Sequence, residues 1–168
     1  MEEIWKPIEN YENYSVSTFG QVRNETTGKI LKGGKNKGRL QISLWKNGIE
    51  KQFQIHRLVA LAFIPNPEDK PEVDHIDNVP SNNKIQNLRW ATRQENNRNT
   101  RIPSTNKSGV KGVTWDKSRQ KWYACISIDD ITISLGYYNT IEEATLARQT
   151  RANLAFGVFT NACEANLI

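Results

Sequence analysis

The stretch from Val73 to Asn99, VDHIDNVPSNNKIQNLRWATRQENNRN, constrains the fold of this chain more than any other. Val73 is an apolar entry, and in an extended segment the next two side chains, Asp74 and His75, point to opposite faces. Asp77, Asn78, Pro80, Ser81, Asn82 and Asn83 are a dense run of turn formers, so the chain must loop out and return. It returns through Asn87–Ala91, where Leu88, Trp90 and the flanking Ile85 are strand-compatible anchors. Thr92 with Glu95 fits a capping box, which predicts a helix from about Arg93 that carries Asn96 in its first turn. The stretch therefore reads as strand, loop, strand, helix.

In that arrangement the Asp74 carboxylate and the Asn96 amide oxygen suit a hard divalent ion that keeps several waters and takes further oxygens from a phosphate. His75, whose ordinary pKa is about 6.5, can take a proton from water at neutral pH. Asn87, expected on the returning strand, would fix the imidazole tautomer through its amide oxygen. An Asp-His pair before an Asn-rich loop is ordinarily a solvated turn; Asn87, the Leu88–Trp90 strand and the helix bearing Asn96 turn the reading toward chemistry. The residues DH, NLRWAT and EN together resemble the catalytic ββα-metal motif of HNH endonucleases, in the variant whose last His is Asn. The resemblance implies hydrolysis of a DNA phosphodiester with Mg²⁺ or Mn²⁺, with Asp74 and Asn96 as metal ligands, His75 as general base and Asn87 as its orienter. It also implies a phage-like or mobile-element origin.

Composition agrees with such a partner. The 168 residues carry a formal charge of +5 and are 37% hydrophobic, with a pI near 9.2 and a mean hydropathy of −0.68. These values favour a polyanionic partner and several small cores over one large one. Cys125 and Cys163 stand far apart in no Cys-x-x-Cys pair, which argues against a zinc cluster or a disulfide framework. The opening MEEIWKPIENY is acidic and lacks an apolar leader, and no run is apolar enough to span a bilayer. The expectation is an intracellular, DNA-containing compartment, no membrane, and action as a monomer on DNA.

Before the central stretch, Ile4–Ile8 and Tyr11–Ser17 alternate apolar and polar residues, Gly20 marks a turn before Val22, and Asn47-Gly48 between Leu40–Lys46 and Glu50–Ile55 is a strong hairpin signal. The pattern W-K-P-I-x-x-Y-E-x-Y-S-V-S-x-x-G-x-V-R resembles the small N-terminal module that precedes HNH motifs in phage and intron nucleases. It implies a strand-rich arm on DNA, with Lys32, Lys35, Lys37 and Arg39 on the backbone; the other reading of that run is a solvated, flexible basic loop. His56–Phe63 predicts a buried helix stopped by Pro65 and Pro67, with a structural or phosphate-touching role for His56.

After the central stretch the chain turns basic. Thr92–Lys121 holds Arg93, Arg98, Arg101, Lys107, Lys111, Lys117, Arg119 and Lys121 against Glu95 and Asp116, a net +6 that exceeds the charge of the whole chain. Strands are expected over Val110–Trp115, Lys121–Ile128 and Thr132–Tyr138. A capping box at Thr140 and Glu143 opens a helix to about Phe156, with Gly157 as its stop. Its apolar face reads as Ile141, Ala144, Ala147, Ala152, Leu154 and Ala155, interrupted by Arg148 and Arg151. S-G-V-K-G-V-x-W, K-W-x-A-x-I and L-G-x-Y-x-T-x-E-E-A are similar to the ethylene-response-factor DNA-binding domain. That resemblance implies a sheet in the major groove, with contacts from Lys111, Trp115, Arg119, Lys121 and Trp122. The two tryptophans have a second reading, as caps of the sheet-helix core.

The expectation is thus an α+β chain: a strand-rich module over 1–55, a ββα-metal core over 56–101, a basic linker over 102–107 and a sheet-plus-helix module over 108–160. Its expected function is site-recognising cleavage of double-stranded DNA. The rival from another class is a DNA-binding regulator with an inactive centre, and RNA is the other possible substrate.

Overall fold

The alternating residues at the N-terminus pair as antiparallel strands in the computed structural model, which describes residues 2–160; Cys163 lies outside them. The chain divides into two compact units, Met1–Thr92 and Arg93–Ile168. The architecture is mixed α+β with several small antiparallel sheets and a few helices, as expected from sequence.

In the first unit, β1 (Trp5–Ile8), β2 (Tyr11–Ser17) and β3 (Val22–Asn24) form one meander. A second sheet is built from β4 (Gly34–Asn36), β5 (Arg39–Lys46) and β6 (Ile49–Gln54). Its β5–β6 hairpin turns at Asn47-Gly48, both left-handed at φ 52° and 77°, as a two-residue primed turn requires. The basic run expected to be a flexible loop is ordered instead: Lys37-Gly38 makes a second left-handed turn that pairs β4 with β5. Helix α1 (Ile55–Phe63) follows β6 directly, and β7 (Glu72–His75) pairs antiparallel with β8 (Leu88–Ala91).

These pieces share one core. Ile8, Val16 and Val22 from the meander, Ile42 and Leu44 from β5, Leu58 and Val59 from α1, and Val73, Leu88 and Trp90 from the β7–β8 pair form one buried cluster. Packing therefore shows no break at the expected boundary between residues 55 and 56. Trp90 is anchored further by donating its indole Nε1–H to the Ile64 carbonyl at 2.9 Å.

The second unit begins with α2 (Arg93–Arg98), followed by a sheet of order β11-β10-β9 from β9 (Val113–Asp116), β10 (Lys121–Ile128) and β11 (Ile131–Tyr138). Helix α3 (Ile141–Phe156) packs on one face of that sheet. The expected capping box is formed, and Gly157 ends the helix at φ 50°. Its inner face differs from the expected stripe. Ala144, Arg148, Ala152 and Phe156, four residues apart, are buried, while Leu154 is 77% exposed. The alanines admit the helix close to the sheet, and Arg148 is drawn inward over the Phe156 ring at 6.0 Å. Among the described residues, no helix is long and apolar enough to cross a membrane.

Candidate active site and nucleic-acid surfaces

Strand β7 delivers Asp74 and His75 on adjacent positions, both buried, with relative exposures of 3% and 7%. Register pairs Asp74 with Arg89 and His75 with Leu88. The Asp74 carboxylate is not solvated: its Oδ2 accepts from Arg89 Nε at 2.8 Å and lies 2.7 Å from Arg89 Nη2. In sequence Arg89 reads only as a strand residue; its cross-strand position opposite an acid is the signal that could have found it.

The His75 ring is held on two sides. Its Nε2 lies 3.0 Å from Asn83 Oδ1, and its plane packs against the His56 imidazole with ring centroids 5.0 Å apart. His56 is buried at the start of α1. Burial, together with the neighbouring His75, Arg39 and Arg57, pushes its pKa down to about 3, so it packs there as a neutral ring. Nothing in the local sequence around His56 points to this pairing, because the two histidines lie nineteen positions apart.

Asn87 departs from its expected place and partner. It ends a short 3-10 turn, Ile85–Asn87, ahead of β8, and its amide clasps the loop instead of the imidazole. Asn87 Oδ1 accepts from Asp77 N at 3.0 Å, while its Nδ2 donates to Asp77 Oδ1 and to Asn82 O, both at 2.8 Å. Asp77 also accepts from Val79 N at 2.8 Å and from Asn82 Nδ2 at 2.6 Å. Burial raises the Asp77 pKa, but the hydrogen bonds from Asn82, Val79 and Asn87 outweigh it and hold the carboxyl below its usual value. The Asn-rich loop is therefore a closed hydrogen-bonded frame behind His75.

Asp74 presents a hard anionic oxygen beside a histidine that can act as a base, a donor set that fits one divalent ion completed by water and phosphate rather than a protein cage. Among the described residues no group of three His, Cys, Asp or Glu is arranged to hold a metal ion, so a zinc-type cage is absent there. Asn96 sits on α2, in the second unit, partly buried.

The basic residues expected on DNA fall into distinct settings. Lys35, Lys37 and Arg39 are exposed along the β4–β5 hairpin, and a cleft of about 730 Å³ runs beside it, lined by Lys29, Lys32, Lys35, Gln41 and Gln52. Arg93, Arg101 and Lys107 are exposed. Arg98 stacks over Phe156 at 4.6 Å and pairs with Asp129 at 3.5 Å, while Lys111 donates to the Arg98 carbonyl at 3.0 Å. Those two residues thus brace the second unit's interior connections.

On the sheet of the second unit, alternation decides which side chains face outward. Val113, Ala124 and Ile126 are buried toward α3, and Trp122 packs with Val113 and Ala144. Trp115 lies on that same side, edge-on to Trp122 at 5.3 Å. Trp122 therefore packs with the core, while Trp115, 41% exposed, stands at its edge. The opposite face carries Thr114, Lys121, Tyr123, Ser127 and Tyr137, with the Tyr123 and Tyr137 rings 5.0 Å apart and Arg119 over Tyr137 at 4.8 Å. Sequence reasoning misses the two tyrosines, although strict alternation from Ala124 would place Tyr123 outward.

Comparison with known proteins agrees with this geometry. Residues 53–98 match the HNH endonuclease family model, and residues 3–45 match the NUMOD4 motif. DNA endonuclease I-HmuI of Bacillus phage SP01 is 45% identical over 94 residues, covering 55% of this chain and 54% of the phage protein. The uncharacterized HNH endonuclease L247 of Acanthamoeba polyphaga mimivirus is 46% identical over 99 residues, 56% of this chain but only 25% of that protein. The chain thus spans a quarter to about half of the length of these curated relatives. Protein 3.8 of Escherichia phage T7 is 33% identical over 82 residues, 49% of this chain and 68% of its own length. A solved structure of the HNH homing endonuclease I-HmuI, describing its DNA binding and cleavage, superposes with a TM-score of 0.54 at 33% identity, covering 94% of this chain and 92% of that one. An acid-histidine pair on β7, returned through an asparagine frame to β8 and matched by both family and structure, places this chain in the HNH endonuclease family.

Proposed function

We propose that this chain is a divalent-metal-dependent endonuclease acting on double-stranded DNA, with His75 as general base. The observation that carries the reading is the buried Asp74-His75 pair on β7, with His75 Nε2 fixed at 3.0 Å by an amide oxygen. A neutral imidazole held in one orientation takes a proton from a water whose oxygen attacks phosphorus in line with the departing ester oxygen. Asp74 and Asn96 are the oxygen ligands the family resemblance implies. A bound Mg²⁺ or Mn²⁺ would offset charge building on the phosphate. Arg89, paired to Asp74, holds that carboxylate in place.

The second unit serves as the site reader, on the resemblance to ethylene-response-factor domains. Its support is a three-stranded sheet covered on one face by α3 and open on the other. The outward Lys121, Tyr123, Tyr137 and Arg119 replace the tryptophans as the contacts to be expected. Lys35, Lys37 and Arg39 on one unit, and Arg93, Arg101 and Lys107 on the other, hold phosphates without reading bases.

The test is incubation of supercoiled plasmid with protein and Mg²⁺, with EDTA, and with His75→Ala. Cleavage that needs both the ion and the histidine is the expected result. Equal DNA binding without cleavage by the wild type would make the chain a regulator, and competition by structured RNA stronger than by duplex DNA would overturn the substrate.

A further inference from the structure

The asparagine whose amide oxygen lies against the His75 imidazole is Asn83, not the one that the motif spacing singles out. Asn83 is only 3% exposed, its Oδ1 lies 3.0 Å from His75 Nε2, and its own Nδ2 is buried with no hydrogen-bond partner. An amide nitrogen left in that state is costly and needs a reason. The reason lies in what the other half of the amide does. A carbonyl oxygen only accepts, so it places a proton on Nε2 and leaves the basic lone pair on Nδ1.

Asn83 is also pinned from behind by a distant part of the chain. Gly20, in the β2–β3 turn, has φ +77°, and a Cβ there would stand 2.6 Å from Asn83 Cβ and 2.9 Å from its carbonyl oxygen. That turn is itself rigid: the buried Ser17 Oγ accepts from Phe19 N at 3.2 Å and Gln21 N at 3.1 Å, and Gly20 N donates to Ser17 O at 3.0 Å. In the same turn the Thr18 carbonyl accepts from Ile85 N at 2.9 Å, two positions beyond Asn83. On the other side, Asn82 is tied to Asp77 and Asn87.

We propose that Asn83 is the positioning residue for His75, holding it as the Nε2–H tautomer with Nδ1 as the basic nitrogen, and that Gly20 is the backstop that keeps Asn83 in place. The N-terminal meander then has a task at the active centre besides any contact with DNA. This rests on the nuclease reading above for its consequence in catalysis, but not for the tautomer itself.

The experiment uses the full chain labelled with ¹⁵N-histidine. Long-range ¹H–¹⁵N spectra at pH 8 report the His75 tautomer in the wild type, Asn83→Leu, Asn83→Ser and Asn83→Asp, beside single-turnover plasmid cleavage in Mg²⁺. The wild type is expected to show Nε2–H. The Leu and Ser variants are expected to show mixed tautomers and a maximal rate lowered roughly 10- to 100-fold, with the protein concentration at half-maximal rate little changed. Asp, which keeps an acceptor oxygen, is expected to restore the Nε2–H pattern, and Gly20→Ala to reproduce part of the Leu defect. If the Leu protein does not fold, the Ser variant decides. An Nδ1–H wild type, or a folded Leu or Ser variant with unchanged tautomer and rate, overturns the inference. A wild type that shows Nε2–H yet never cleaves DNA sinks the nuclease reading instead.

Discussion

His56 shows how one side chain can be legible as buried yet opaque as to its partner. Its apolar helix is readable, but its packing on His75 is not, because that contact joins α1 to β7, elements that local sequence does not link. Its folded pKa of about 3 lies below the ordinary 6.5, so the fold favours the neutral ring. The resulting stability is fully present above about pH 6.5 and is lost as pH falls toward 3, at most roughly 5 kcal/mol. Thermal melts of the wild type should therefore fall steeply over that window, while those of His56→Leu should fall less; parallel curves would contradict this. Asn87 makes a second residue-scale case. Its spacing from His75 marks it as functional, yet spacing cannot say whether its amide faces the imidazole or Asp77. Because it carries three hydrogen bonds of the loop frame, Asn87→Ala should cost about 2–3 kcal/mol in denaturant unfolding. A loss of cleavage with no loss of stability would instead place its role in the reaction alone.

Among the elements, those with a local signal are readable: the left-handed Asn-Gly turn, the hairpin of β5 and β6 that it closes, and the capped α3. The capping box of α3 joins Glu143 N to Thr140 Oγ1 at 3.2 Å and Thr140 N to Glu143 Oε2 at 3.3 Å. Thr140→Ala should destabilise the second unit by about 1 kcal/mol, read as a shift in its unfolding midpoint, and an unchanged midpoint would show the cap to be idle. What a helical wheel cannot show is the inner face of α3. Two alanines leave room for Arg148 to lie over Phe156, so an arginine stands inside where Leu154 is expected. The same limit applies to the sheet, where Trp115 and Trp122 are conspicuous in sequence while alternation puts Tyr123 and Tyr137 on the open face.

For the whole molecule, the α+β class is legible because short alternating strands and capped helices each carry their own punctuation. The sharing of one core by the N-terminal strands, α1 and the β7–β8 pair is not, since it depends on packing between segments far apart in sequence. A fragment ending near Arg101 retains that core together with His75, and should keep cleavage while losing site preference. Its DNA affinity should also depend less on salt, by about 0.9 in log-log slope for each phosphate that the second unit would otherwise neutralise. A fragment with undiminished selectivity would show that the sheet-plus-helix module is not the reader. The central claim is that the His75 imidazole is the base that activates water for DNA cleavage. Its most direct measurement is single-turnover cleavage by His75→Gly with and without added imidazole. Near-complete loss of rate in the variant and a rise with imidazole concentration are the predicted results; a variant that cleaves at the wild-type rate without imidazole would contradict the claim.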